Sequence, residues 1–108
     1  IEGGVLPRDK RRAADLFDRA ASQGQRDALY NLGLLYLEGD VFARNTIRAG
    51  ELFRAAAEQD QADAQYSLGL LHLSGDGVVP DDQEGARWIA AAAENGHAAA
   101  QIEYALIL

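Results

Sequence analysis

The stretch Asp63-Ala64-Gln65-Tyr66-Ser67-Leu68-Gly69-Leu70-Leu71-His72-Leu73-Ser74-Gly75-Asp76 is present twice. Thirty-six residues earlier it reads Asp27-Ala28-Leu29-Tyr30-Asn31-Leu32-Gly33-Leu34-Leu35-Tyr36-Leu37-Glu38-Gly39-Asp40. A third copy opens at Ala99 and runs to Leu108. Residues 25–60 align on 61–96 without a gap, with 15 identities in 36 positions. A fixed period of this size marks a stacked array, in which each unit buries its apolar face against its neighbours. The expected fold is therefore all-α: an α/α superhelical solenoid of antiparallel helix pairs with a 36-residue period.

The period makes residues 1–108 one array. It divides into a partial repeat at 1–24 (helix B), full repeats at 25–60 and 61–96, and a partial repeat at 97–108 (helix A). Residues 1–4 align with 37–40, the tail of a helix A, and the last helix lacks its hairpin partner. Both ends read as cut from a longer chain. The first residue is not Met, so a removed leader stays open, although no signal peptide is visible.

Local signals give the same plan. The first helix is expected over residues 10–23, capped by Asp9, with Ala13, Leu16, Phe17, Ala20 and Ala21 on its apolar face. Helices A are expected over 27–37, 62–73 and 98–108. Helix B of the first full repeat follows the cap Asn45 over 46–59, with Leu52, Phe53, Ala56 and Ala57 inward. Helix B of the second follows Asp81, with Trp88, Ile89, Ala92 and Ala93 inward. Glu84, three residues after Asp81, offers a capping box. Gly24 and Gly96 end helices where a left-handed residue is needed, and Asp60 takes that place in between at some strain. Gly33 and Gly69 lie inside helices, where glycine costs roughly 1 kcal/mol against alanine. Close approach of helices A and B would offset that cost.

Composition removes several function classes. There is no cysteine, hence no disulfide, thiolate metal site or thiol nucleophile. No apolar run nears the ~20 residues that span a bilayer. The net charge of −7 is uneven: residues 1–36 carry +1 and residues 37–108 carry −8. An acidic body repels nucleic acid and anionic lipid. The cluster Arg8, Lys10, Arg11, Arg12 reads as a solvated helix face. His72 reads as a packing residue in the place of Tyr36, and His97 as an exposed residue at a helix start. Two separated histidines make no zinc signature. Asp81-Asp82 reads as helix-terminal carboxylates, and Gly75-Asp76-Gly77 as a turn without the Lys-Ser/Thr of a phosphate loop. No catalytic, cofactor or metal residue is expected.

The motif residues Ala62, Ala64, Tyr66, Leu68, Gly69, His72, Gly75, Gly77, Val78, Asp81, Ala86, Trp88, Ala92, Ala93 and Gly96 resemble the Sel1-like repeat, a solenoid family related in shape to tetratricopeptide repeats. The preceding repeat keeps Ala28, Tyr30, Leu32, Gly33, Tyr36, Gly39, Asn45, Ala56 and Ala57, but has Val41 for the second loop glycine and Leu52 for the tryptophan. The resemblance covers essentially the whole chain. It implies an adaptor scaffold whose helices A line a concave face, and it slightly favours a periplasmic or exported bacterial setting over a cytoplasmic one.

On a helical wheel Ala28, Leu32, Leu35 and Tyr36 share the core arc, while Asp27, Asn31, Leu34 and Glu38 fall opposite. Their equivalents are Asp63, Ser67, Leu70 and Ser74, then Ala99, Glu103 and Leu106. Leu34, Leu70 and Leu106 thus form a ladder edged by polar and acidic groups. Such a ladder either packs between neighbouring helices A or contacts a partner. The leading expectation is a non-catalytic scaffold holding a protein or peptide on this face, without cofactor, nucleic acid or membrane insertion. One alternative is self-assembly through end-to-end repeat stacking. Another is a hydrolase, since some cysteine-rich relatives of this kind act on β-lactams.

Overall fold

The computed structural model describes the backbone of residues 5–107 and the side chains of 10–106. It contains six helices: α1 (Val5–Ser22), α2 (Arg26–Glu38), α3 (Thr46–Ala57), α4 (Ala62–Ser74), α5 (Asp82–Glu94) and α6 (Ala98–Ile107). No strand occurs among the described residues. Each helix packs against its neighbours in sequence, α2 with α3 and α4 with α5 most extensively. The result is an elongated stack of 49 × 24 × 22 Å.

Local chemistry explains the boundaries. The Asn45 side chain accepts from the Arg48 amide at 2.9 Å, and Asp81 accepts from the Gln83 and Glu84 amides, each at 3.1 Å. Both cap residues also donate their own amides backwards, Asn45 to the Tyr36 carbonyl at 2.9 Å and Asp81 to the His72 carbonyl at 3.0 Å. That explains why Glu84 does not complete the expected capping box: the amide it would reach is already satisfied, and its carboxylate pairs with Arg87 instead. Asp9 is not a cap either, because α1 begins four residues earlier, at Val5. Asp60 takes a φ of 64°, the left-handed conformation that Gly24 and Gly96 adopt at the equivalent turns.

The main core joins α2, α3 and α4 around Leu32, Leu52, Phe53, Leu68 and Leu71, with small residues such as Ala49, Ala56 and Ala64 between them. A second cluster joins Ile89, Ala92 and Ala100. Few large side chains are fully buried, each stabilising by roughly 1.5–3 kcal/mol. Stability therefore depends on how closely the helix axes approach. Gly33 and Gly69 set that approach. A Cβ at Gly33 would lie 2.7 Å from the Phe53 ring, and one at Gly69 would lie 2.7 Å from the Ile89 side chain and 2.9 Å from the Gly85 carbonyl.

The apolar face of α1 differs from expectation. Ala14 is buried, Phe17 and Ala21 pack on the core, and Leu16 is 58% exposed. Leu16 stands where Leu52 and Trp88 stand in the later B helices, but α1 packs chiefly on α2. Trp88 packs against the main core, half-buried rather than fully enclosed, with its indole N–H unpartnered among the described residues.

Candidate functional site

Helices α2 and α4 stand side by side with α3 behind them, and a cavity of about 480 Å³ opens between them. Phe53 and Leu71 lie beneath it, and Leu37 and Leu70 form apolar walls. Ser67 and Ser74 line the α4 side one turn above and below Leu70. Leu70 is 38% exposed, so part of its side chain meets solvent.

The C-terminal end of the groove is closed by an ion pair. Arg44 leaves the α2–α3 loop, donates from Nε to the Leu37 carbonyl at 3.2 Å, and places Nη2 3.3 Å from an Asp76 carboxylate oxygen. One guanidinium thus satisfies an orphan carbonyl at the end of α2 and ties two successive loops together.

Beyond the cavity, side chains link the starts of successive helices A. Gln61, the N-cap residue of α4, accepts from the Ala64 amide through Oε1 at 2.6 Å and donates from Nε2 to Asp27 of α2 at 3.2 Å. His97 repeats the arrangement one repeat on. Its Nδ1 accepts from the Ala100 amide at 3.1 Å, which places the ring proton on Nε2, 3.2 Å from an Asp63 oxygen. The His97 ring also stacks on Tyr66, with centroids 4.5 Å apart. His97 is therefore half-buried and not exposed as its sequence position suggested. Nearby, burial raises the Tyr30 phenol above its ordinary value of 10.0; the Asp63 charge adds to this, and the Ser67 hydroxyl opposes it.

The residues proposed for the partner face lie at different depths. Ser67, Leu70 and Ser74 line the cavity together. Leu34 is half-buried and packs on the core. Asn31 is half-buried, and Asp27, Asp63 and Glu38 are exposed. Glu103 and Leu106 sit on α6, away from the cavity, with Leu106 78% exposed. The wheel did not point to Leu37, Arg44, Phe53 or Asp76. Only the spacing of Arg44 and Asp76, 32 residues apart in successive loops, carried a trace of that contact.

His72 is buried. Arg54 donates to its Nε2 at 3.0 Å, and since a guanidinium only donates, the proton is on Nδ1, facing the Val79 carbonyl at 3.0 Å. The ring therefore ties α3, α4 and the following loop together. In the basic cluster, Arg11 and Arg12 are exposed and Lys10 pairs with Asp40. Among the described residues no group of three or more histidines and carboxylates is disposed to hold a metal ion, and no helix is long and apolar enough to cross a membrane.

The Sel1 repeat profile matches residues 2–25, 26–61 and 62–97. The chain belongs to the Sel1 repeat family. Among solved structures, the Sel1 repeat protein of Oxalobacter formigenes is similar at 34% identity and a TM-score of 0.82, over 86% of this chain and 38% of its own. The protective antigen c5321 of uropathogenic Escherichia coli is similar at 33% identity and a TM-score of 0.79, over 84% of this chain and 20% of its own. This Sel1 chain thus spans well under half the length of either relative. Cysteine-rich protein B of Helicobacter pylori shares the fold, with a TM-score of 0.81 at 20% identity, over 84% of this chain and 68% of its own. No curated protein matches the chain significantly.

Proposed function

We propose that this Sel1 chain is a non-catalytic interaction scaffold that holds a peptide or protein segment in the groove between α2 and α4. The observation that carries this reading is the cavity of about 480 Å³, walled by apolar side chains and open beside Leu70. Water fills such a groove poorly, and an apolar side chain from a partner would displace it favourably. The general use of repeat solenoids as protein-binding surfaces agrees.

The test is affinity capture from an extract of the producing cell, with the native array beside Leu70→Glu. Leu70 is the better position than Leu34, which is part of the core. A partner held by the native chain and lost by the folded variant, with circular dichroism unchanged, places binding in the groove. A partner that survives the substitution moves binding to α3, α5, the loops or the ends. Turnover of nitrocefin would overturn the non-catalytic part of the reading.

A second reading, end-to-end self-association, is favoured by apolar groups at opposite ends of the stack: Leu16 at 58% exposure on α1, Ile102 at 66% and Leu106 at 78% on α6. Mass by light scattering that stays monomeric across a wide concentration range excludes it for this chain.

A further inference from the structure

We propose that the groove selects a basic partner: an amphipathic segment that seats an apolar anchor beside Leu70 and reaches Asp27 and Asp63 with lysine or arginine. This rests on the reading of the groove as a binding site. Asp63 lies four residues before Ser67 and seven before Leu70 on α4, so the three share a face. Seven helical residues span about 10 Å, within reach of a long basic side chain from a segment anchored at Leu70.

Asp27 is drawn to the same end, because the Gln61 amide holds it at the start of α4, two residues before Asp63. Both carboxylates are exposed. Neutral groups hold them in place: the Gln61 amide on Asp27, and the Nε2–H of a His97 whose Nδ1 is occupied as an acceptor on Asp63. The nearest base in sequence, Arg26, is directed to the Gln59 carbonyl at 2.8 Å. Among the described residues, neither carboxylate pairs with lysine or arginine. At the opposite end Arg44 and Asp76 neutralise each other. Two carboxylates that pair with no described lysine or arginine thus lie at the starts of α2 and α4, outside the residues that line the cavity, and the apolar seat at Leu70 lies two turns further along α4. The −8 charge of residues 37–108 extends the same field outward.

The test uses three labelled amphipathic peptides of about five helical turns, sharing one leucine face and carrying lysine, glutamine or glutamate opposite it. Binding to the native array is followed by fluorescence anisotropy at low and high salt. The lysine peptide is expected to bind, the glutamine peptide to bind more weakly, and the glutamate peptide not at all, with the lysine advantage falling as salt rises. The Asp27→Asn, Asp63→Asn variant keeps both acceptor oxygens and loses both charges. It should weaken the lysine peptide roughly fivefold and leave the glutamine peptide unchanged.

Leu70→Asp adds a negative charge and removes the anchor seat, and should abolish binding of both. If it leaves the lysine peptide bound, the attraction is diffuse and the proposal falls. Equal binding of lysine and glutamine peptides to the native array overturns the basic preference while the groove reading stands. If none of the three binds, the proposal falls, while capture by the native array against Leu70→Glu still judges the groove reading separately.

Discussion

The two hairpins α2–α3 and α4–α5 share a plan but close their interfaces differently. In the first, Gly33 faces the side of the Phe53 ring, and the partner position on α3 is the buried Ala49. In the second, Gly69 faces Gly85, and a methyl on either would lie 3.0 Å or less from the other's carbonyl oxygen. Both crossings set a helix B side chain, Phe53 or Ile89, against the glycine, and the second adds backbone against backbone. The same contrast appears at the helix ends. Tyr36 stacks on Phe42 with centroids 4.7 Å apart, whereas His72, in the same place, is held by Arg54 and Val79. A repeat sequence thus preserves where helices must touch and leaves open what they touch with.

Glycine substitutions break this comparison most sharply. Gly69→Ala has no side chain that can yield at the Gly85 carbonyl, so the helices must separate. It is expected to destabilise by about 2–3 kcal/mol, after any gain in helix propensity. Gly33→Ala meets a ring that can tilt toward the groove, and it should cost about 1 kcal/mol. Urea denaturation of both variants decides the point, and equal losses would mean that the two crossings are mechanically alike. At the turns, Asp60→Gly relieves a positive φ that glycine carries at the equivalent residue 96, and should stabilise by about 0.5–1 kcal/mol in the same assay.

The smallest effect concerns Tyr30. Its folded pKa is raised above 10.0, chiefly by burial, so the neutral phenol is favoured in the folded chain. The stability tied to it is complete below pH 10.0 and is lost as pH rises through the higher folded value. Thermal melts at alkaline pH should fall less steeply in Tyr30→Phe than in the native chain. Asp63→Asn removes the second cause of the shift and should move the native curve part of the way toward that variant.

The period, the six helices and the caps at Asn45 and Asp81 were legible because each depends on residues close in sequence or one repeat apart. Gly33 and Gly69 were readable as close approaches because nothing local accounts for glycine inside a helix. The groove was only partly legible. A helical wheel orders side chains about one axis, so it ranked Leu34, Leu70 and Leu106 as equals. Depth depends on the neighbouring helix: Leu34 packs on the core, Leu70 borders a cavity, and Leu106 stands exposed on α6, which packs mainly on α5. Arg44 and Asp76 escaped notice because loop geometry, not periodicity, brings them together. His97 was misjudged because its stacking on Tyr66 crosses from one repeat to the next.

The bridging caps at Gln61 and His97 give the array a direction. Each cap side chain fixes the start of its own helix with one end and grips an aspartate of the preceding repeat with the other. A chain emerging amino end first therefore has Asp27 in place before Gln61 appears, and Asp63 before His97. The order of synthesis and the direction of the bond coincide, so each helix A can be set in register by material already made. The same rule limits how repeats can be exchanged. A unit with alanine at the aspartate position, as at Ala99, gives the following cap nothing to hold. Shuffling or extending such an array is then governed by this residue pair as well as by the fit of the apolar faces.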